Sequence, residues 1–317
     1  MFIRDKKIKK WLLLCACAAA PLWAAAPAGQ EDSPLYRAPE VLVDKAAMDE
    51  LMHSAGRTWQ GASPCIERTK NGRLFACLFS GGDNEPDTRN YAVYMMSDDE
   101  GKTWIDPLAL VDHPDEKTRI TDPSVWIDPL GRLWFYWNQH YPVKGIKGWP
   151  HHRYGIWAIR IDNPDAPLPE LRKQIATAKP VRQFDGVRIN KPIILSTGEW
   201  LQPLSHVQHR GMHIIVSTDQ GNTWTLRGGI VHPGGILEPM VLEKKDGTLW
   251  ALVRLGSTQN NVDDGGVGQS FSTDRGKTWS PIEDHLPHPL IGVHSRLYFG
   301  RLNSGALIFV TNDSNRL

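Results

Sequence analysis

Short apolar segments separated by glycine turns recur along the chain. Each unit consists of an apolar strand, a turn with one glycine and a second apolar strand, as in residues 125–127 and 133–135 around Gly131. The turn glycines stand at positions 72, 131, 198, 247 and 305, which are 59, 67, 49 and 58 residues apart. Such spacing fits one four-stranded blade with its loops. The pattern predicts an all-β chain with five inner hairpins and no helix longer than about three turns.

A second repeat follows three of these hairpins. Its form is S-x-D-x-G-x-T-W, and the matching segments are Ser97–Trp104, Ser217–Trp224 and Ser272–Trp279. In a tight turn, Ser and Asp bond nearby N–H groups, Gly accepts positive φ and Trp fills space between sheets. The motif resembles the Asp box, or BNR repeat, of the sialidase-like (neuraminidase-like) β-propellers, from about Trp59 to Leu317. The resemblance implies a six-bladed β-propeller, with about five blades present in this chain.

The other segments are assigned around this propeller. Residues 59–317 are expected to form the propeller domain, incomplete at its C-terminus because no outer strands follow the fifth hairpin. Blade two has no Asp box, and Tyr154–Ile161 is its expected outer strand. Residues 30–58 form an N-terminal segment in which residues 40–43 are a candidate closing strand.

The first 29 residues have the pattern of a signal peptide. Five basic residues precede an apolar stretch from Trp11 to Ala20, and small residues follow it. This indicates export to the periplasm or the extracellular space. A lipoprotein anchor at Cys17 is the alternative, because residues 14–17 resemble a lipobox. No later stretch is long and apolar enough to predict a membrane span.

Charge excludes one class of partner. The formal net charge is +1, but residues 1–29 carry five basic and one acidic side chain, so the remainder is 1 − 4 = −3. No basic surface is therefore expected for nucleic acid.

Two cysteines remain after the signal segment, Cys65 and Cys77. A three-residue hairpin loop ending at Gly72 would place them opposite each other and permit a disulfide, whereas a two-residue loop would leave buried thiols. His206, His209 and His213 do not share a strand face, so no metal site and no cofactor are expected.

The repeat register locates a candidate site at one rim of the central channel. The first strand of each inner hairpin begins eight residues before the centre of its turn, at Ser63, Asp122, Ile189 next to Asn190, Glu238 and Arg296. The second strand ends eight residues after the turn centre, at Phe79, Asn138, Ser205, Arg254 and Asn312. Antiparallel pairing predicts Asp122 opposite Asn138 and Glu238 opposite Arg254. A plain cross-strand ion pair is the alternative interpretation of Glu238 and Arg254.

The resemblance assigns chemical roles to these positions. Glu238 matches the family's Glu that acts as base to a nucleophilic tyrosine, which is expected beyond Leu317. Arg254 and Arg316 match its sugar-binding arginines. Its first carboxylate-binding arginine has no counterpart, because residues 62–64 read Ala-Ser-Pro. The general acid is expected in the loop 81–90, as Glu85 or Asp87, with Asp83 a weaker candidate. Further candidates for sugar contact are Arg296, Asp122, Arg119, Arg188, Asn190, Lys191 and Asn138.

The resulting functional hypothesis is a glycan-directed enzyme. It is an exo-acting, sialidase-like glycoside hydrolase that removes a terminal acidic or uronate-linked sugar. A polysaccharide lyase on the same propeller and a non-catalytic glycan-binding propeller are the alternatives, because one fold carries many chemistries. A lyase would require a His or Tyr base beside a uronate.

Overall fold

Five antiparallel sheets follow one another along the chain in the computed structural model, which describes residues 36–54, 61, 63–83, 87–142, 152–206, 210–256, 266–283 and 296–311. Each sheet is one blade of the predicted β-propeller. In blade one the spatial order is β1-β5-β4-β3-β2. Its strands are β1 (Glu40–Leu42), β2 (Cys65–Arg68), β3 (Leu74–Ser80), β4 (Tyr91–Ser97) and β5 (Ile105–Asp112), and helix α1 (Lys45–His53) follows β1.

The next blades repeat the sequential order from the channel outward. Blade two consists of β6 (Arg119–Ile127), β7 (Leu133–Pro142), β8 (His152–Ile161) and β9 (Val181–Asp185), with helix α2 (Leu168–Thr177) between β8 and β9. Blade three consists of β10 (Ile193–Ile194), β11 (Trp200–His206), β12 (Gly211–Ser217) and β13 (Thr225–Val231). Blade four contains β14 (Ile236–Glu243), β15 (Leu249–Leu255) and β16 (Val267–Ser272), and blade five contains β17 (Tyr298–Arg301) and β18 (Leu307–Val310).

The predicted inner hairpins are confirmed in all five blades. All five turn glycines have positive φ, between 80° and 100°, which explains why glycine stands at these turns. The two described helices have 9 and 10 residues, within the predicted limit of three turns. In the described part of the chain, neither helix has the length and apolar character needed to cross a membrane.

Two strand assignments from the sequence are wrong. Residues 40–42 do not close the ring, because β1 pairs with β5 and becomes the outermost strand of blade one. The strand over Tyr154–Ile161 exists as part of β8, but it is the third strand of blade two. The outermost strand is β9, which returns to pair with β8 after α2. The proline-rich segment 164–169 ends β8, and prolines at the start of α2 are compatible with the helix.

The three Asp boxes share one hydrogen-bond pattern. In each box the Ser hydroxyl donates to the Asp carboxylate and accepts from the Gly N–H. The Asp carboxylate also accepts from the Thr N–H and the Thr hydroxyl. Trp224 and Trp279 pack against core clusters between blades, whereas Trp104 is 36% exposed. The boxes therefore stabilise the turns that end the third strands and have no direct chemical role.

We expect Asp219→Ala to lower the free energy of unfolding by about 1–2 kcal/mol, because the Thr223 N–H and two hydroxyls lose their acceptor. Burial alone would raise the pKa of Asp219, but hydrogen bonds from Thr223 and Ser217 hold it below its ordinary value of 3.8. A carboxyl with a lowered folded-state pKa stabilises the fold above its unfolded pKa, and this stabilisation is lost as the pH falls further. Thermal unfolding should therefore show a difference between wild type and variant at neutral pH that shrinks below about pH 4. A difference independent of pH would contradict the role assigned to the carboxylate.

Consecutive blades are joined by their apolar faces. Tyr94 of blade one stacks on Phe135 of blade two with 4.1 Å between ring centroids, and Trp126 meets Trp200 of blade three edge to face at 4.8 Å. Blades three and four share a cluster that includes Leu201, Ile214, Val241 and Leu249. These contacts make the inner strands neighbours around one channel, which positions the candidate site.

The cysteines of the first hairpin face each other but are free thiols. Cys65 pairs with Cys77, and the turn is the three-residue loop, in which the Thr69 N–H donates to the Arg73 carbonyl at 2.9 Å. Counting in twos from that hydrogen-bonded pair makes Cys65–Cys77 a hydrogen-bonded pair as well. Cβ atoms of such a pair lie about 5.5 Å apart, whereas a disulfide needs about 3.5–4.5 Å. Both cysteines are buried and unbridged.

Candidate active site

Three residues at the start of inner strands share an unusual backbone conformation. Ser63, Asp122 and Glu238 have φ values of 56°, 45° and 50°, and they occupy equivalent register positions in blades one, two and four. Positive φ is uncommon for residues other than glycine and costs of order 1–3 kcal/mol. Its repetition in three blades indicates a feature of the rim that the fold maintains.

A β-bulge accompanies this conformation in two of the blades. The pairing register shifts between Thr121 and Ser124 in β6, and between Leu237 and Met240 in β14. The predicted backbone pairings are therefore wrong by one residue, because Thr121 lies opposite Asn138 and Leu237 opposite Arg254. A bulge inserts one extra residue and redirects its side chain. The bulged residues are Asp122 and Glu238.

The predicted side-chain contact between Glu238 and Arg254 is nevertheless present. Arg254 Nη1 donates to Glu238 Oε1 at 2.9 Å, and the two side chains are only 14% and 20% exposed. Glu238 Oε2 is buried and accepts no hydrogen bond from the described residues. Burial raises the pKa of Glu238, the charge of Asp122 also raises it, and Arg254 opposes both effects. One carboxylate oxygen is thus fixed by Arg254, and the other is buried without a hydrogen-bond donor among the described residues.

Blade three holds the backbone of Glu238. The Glu238 N–H donates to Ser205 Oγ at 2.9 Å. Asn190 Nδ2 donates to the carbonyls of Glu238 and Pro239 at 3.2 and 3.1 Å. These three bonds satisfy backbone groups that the bulge removes from the strand ladder. Asn190, predicted to contact a sugar, is 3% exposed, and its side chain instead holds the bulged backbone of blade four.

Asp122 is the acceptor in a second polar cluster. Its carboxylate accepts from Ser63 Oγ at 2.9 Å, Thr121 Oγ1 at 2.9 Å and Asn138 Nδ2 at 3.4 Å. Thr121 Oγ1 also lies 2.7 Å from His140 Nε2. Because the threonine hydroxyl donates its one proton to Asp122, His140 must donate to it through Nε2. Sequence reasoning missed Thr121 and His140, since neither lies at the repeat position that it used.

Arg296 joins blades rather than facing an open site. Its Nη2 donates to the Ile189 carbonyl at 2.6 Å, its Nε to Asn190 Oδ1 at 3.1 Å and its Nη1 to the Pro64 carbonyl at 3.3 Å. Lys191 Nζ donates to the Ile66 carbonyl at 2.6 Å and to Glu67 Oε2 at 2.8 Å. Beside these two residues, an open cavity of about 950 Å³ extends along the inner strands.

Two further arginines are buried in blades two and three. Arg188 is 3% exposed, lies over the Tyr136 ring at 3.5 Å and donates to Gln202 and Ser124. Burial lowers the pKa of Arg188 to about 10, so it remains charged at neutral pH. Its backbone exchanges two hydrogen bonds with the side chain of Asn138. Arg119 is likewise 3% exposed.

The loop that was predicted to supply the general acid is only partly described. Asp87 accepts from Arg89 Nε at 2.9 Å and from Arg89 Nη2 at 2.6 Å, and Arg89 also reaches Asp83 at 2.9 Å. The Arg89 hydrogen bonds hold the pKa of Asp87 well below its ordinary value. Asp87 is therefore ionised at neutral pH. Glu85 lies outside the described residues.

Other predicted positions add little to the site. Asn312 and Arg316 fall in residues 312–317, beyond the described part of the chain. The His206 and His213 rings lie 4.4 Å apart, and His209 is not among the described residues. Within the described ranges, no group of three or more His, Cys, Asp and Glu side chains is placed to hold a metal ion.

Comparisons with known proteins agree with this architecture. The family described as "BNR repeat-like domain" matches residues 166–317. No curated protein matches the chain. A protein of unknown function from Dyadobacter fermentans shares the fold with a TM-score of 0.60 and 16% identity, covering 80% of this chain and 76% of its own.

Two sialidases are also similar in structure. The Hadza microbial sialidase Hz136 has a TM-score of 0.54 and 18% identity over 78% of this chain and 52% of its own. A single-residue mutant of NanB sialidase from Streptococcus pneumoniae has a TM-score of 0.56 and 12% identity over 82% of this chain and 58% of its own. The chain thus spans slightly more than half the length of these sialidases. The family match identifies residues 166–317 as BNR repeat-like, and the chain shares the β-propeller fold of these sialidases.

Proposed function

We propose that this protein is an exo-acting glycoside hydrolase that removes a terminal acidic or uronate-linked sugar from a glycan. The observation that supports this most strongly is the arrangement of Glu238. One of its oxygens is fixed by Arg254, the other accepts no hydrogen bond from the described residues, and burial raises its pKa. A carboxyl with a raised pKa is suited to accept and return a proton near neutral pH.

Glu238 is assigned the role of general base. Its Oε2 takes the proton of a nucleophilic hydroxyl, which the resemblance assigns to a tyrosine, as that oxygen forms a bond to the anomeric carbon. The bond from that carbon to the glycosidic oxygen breaks, and a general acid must protonate the departing oxygen. Of the loop carboxyls predicted for this step, we favour Glu85, because Arg89 stabilises the ionised form of Asp87, which has no proton to donate.

The remaining predicted site residues divide into two groups. Asp122 and Arg254 are proposed to contact the sugar, with Asn138 orienting Asp122, and Arg316 stays a proposal from the resemblance alone. Asn190, Lys191, Arg119 and Arg296 are proposed to shape and hold the rim, because each is buried or bonded to protein groups.

A product assay separates the hydrolase from its alternatives. The protein is incubated with 4-methylumbelliferyl glycosides and with a polysaccharide that carries terminal sugars on uronate residues. A hydrolase yields free methylumbelliferone or a new reducing sugar, a lyase yields an ultraviolet-absorbing unsaturated uronate, and a binding propeller yields neither while retaining the polysaccharide in affinity electrophoresis. The unsaturated uronate would overturn the hydrolase proposal even if free sugar appeared with it, because elimination also frees a terminal sugar linked to the uronate. Binding without any product would overturn it as well.

A further inference from the structure

The cationic side chains around the described rim are committed to protein groups. Arg254 pairs with Glu238, and Lys191 pairs with Glu67. Arg296 places three nitrogens on oxygens of blades one and three. Arg254 gives only Nη1 to Glu238, and its Nε has no hydrogen-bond partner among the described residues, so a ligand carboxylate could pair with Arg254 only beside the carboxylate that this arginine already neutralises. At Lys191 or Arg296 a ligand carboxylate would have to displace a protein partner. Displacement would leave a carboxylate or a carbonyl without its donor, which is costly in a largely buried site.

The two buried arginines do not offer an exposed cation either. Arg119 and Arg188 are each 3% exposed, so protein atoms cover their guanidinium groups. The Arg188 guanidinium lies over the Tyr136 ring and donates to Gln202 and Ser124. Direct contact between a sugar carboxylate and either arginine would require the rim to open.

Two carboxylates, Asp122 and Glu238, stand at the rim positions of blades two and four. Asp122 and Glu238 are near enough for the charge of Asp122 to raise the pKa of Glu238, and Arg254 is the cation paired with Glu238. At the equivalent position of blade one stands Ser63, whose hydroxyl donates to Asp122. A carboxylate sugar would meet like charge here, whereas carboxylates accept readily from sugar hydroxyls.

We infer that the terminal sugar held at this rim is neutral and is recognised through its hydroxyl groups, which donate to Asp122 and Glu238. This inference rests on the proposed function and narrows it. Of the two substrate types proposed, the uronate-linked one fits, with the uronate carboxylate on the leaving side of the scissile bond. Ser63 determines specificity. Its short neutral side chain orients Asp122, whereas a cationic side chain at this position would attract the carboxylate of an acidic sugar.

Two measurements on the full chain test this specificity. Binding is measured by ligand-observed NMR with 4-methylumbelliferyl glycosides of rhamnose, galactose, glucuronic acid and sialic acid, at low and high salt, and methylumbelliferone release is followed in parallel. We expect at least tenfold tighter binding of one neutral glycoside than of either acidic one, with little dependence on salt. Ser63→Arg should improve binding of an acidic glycoside at least tenfold, in a salt-sensitive manner. Ser63→Gln, a neutral variant that also carries a side chain in the left-handed conformation, should not.

The outcomes separate this inference from the proposed function. Binding of a neutral glycoside without release supports the neutral specificity and counts against hydrolysis. Release from an acidic glycoside alone overturns the neutral specificity and leaves the hydrolase proposal standing. Tighter wild-type binding of an acidic glycoside overturns the inference even if Ser63→Arg does not fold, and failure to bind any of the four probes overturns both proposals.

Discussion

Glu238→Gln should lower turnover by two or more orders of magnitude while leaving the thermal midpoint nearly unchanged. General-base assistance is typically worth 10²–10⁴-fold, and an amide cannot accept the proton. Glutamine keeps the size of the side chain and an oxygen for the 2.9 Å hydrogen bond from Arg254. Activity is measured on whichever glycoside the wild type hydrolyses, and folding is followed by circular dichroism during heating.

A matched control lies on the same strand. Glu243 stands at the far end of β14, where its carboxylate accepts from the N–H and hydroxyl of Ser196. Glu243→Gln makes the same chemical change away from the rim, and we expect turnover within about twofold of wild type. Wild-type turnover in Glu238→Gln, or a collapse of its thermal midpoint, would return Glu238 and Arg254 to the interpretation as a cross-strand ion pair.

The pH dependence follows from the same carboxyl. A base acts in its ionised form, so the raised pKa of Glu238 moves the acidic limb of the rate profile above the ordinary glutamate value of 4.5. The contribution of Glu238 to the pH dependence of stability has the opposite sign to that of the Asp-box carboxyls. A carboxyl with a raised folded-state pKa destabilises the fold as the pH rises from its unfolded to its folded pKa. Glu238→Gln removes this cost at neutral pH, which offsets part of the weakened interaction with Arg254.

The fold was largely predictable because its signals are local. Gly72 and its counterparts must adopt positive φ, and the Ser, Asp and Thr of each box bond within eight residues. Strand partners that depend on distant segments were not predictable. The pairing of β1 with β5, and of β9 with β8 after an intervening helix, is set by packing of the completed blade. Such strand pairings have no recognisable residue pattern in the strands that form them.

The sequence predicted which residues meet at the candidate site but not how their backbone and side chains are arranged. The repeat register placed Asp122, Glu238 and Arg254 at one rim but did not reveal the bulges. A signal was present, because proline follows both bulged residues, at positions 123 and 239, and proline within strands is confined to edges, first positions and bulges. The sequence also could not show which protein atoms accept hydrogen bonds from Arg296. Three oxygens of blades one and three do so, which turns an expected sugar contact into a link between blades. Candidate arginines can therefore be ranked only after their protein partners are known.

Arg254→Ala should shift the acidic limb of the rate profile to higher pH and reduce turnover at neutral pH by at least tenfold. Arg254 lowers the pKa of Glu238 through its charge and its hydrogen bond, whereas burial and Asp122 raise it. Without the guanidinium, a carboxyl with a side chain only 14% exposed would be uncompensated. If it stayed ionised, removal of its partner would cost about 3 kcal/mol or more of stability, so the group takes up a proton instead.

Arg254→Lys is the control that separates charge from geometry. Lysine keeps the positive charge but lacks the planar fork of the guanidinium, so we expect an intermediate shift of the acidic limb and partial recovery of turnover. The profile is measured from pH 4 to 9 as kcat and kcat/KM on the same glycoside. If Arg254 only anchored a carboxylate sugar, KM would rise with an unchanged pH profile, and the assignment of Arg254 as the residue that keeps Glu238 ionised would be wrong. A higher acidic limb with little change in KM would fit both the base role of Glu238 and a neutral terminal sugar.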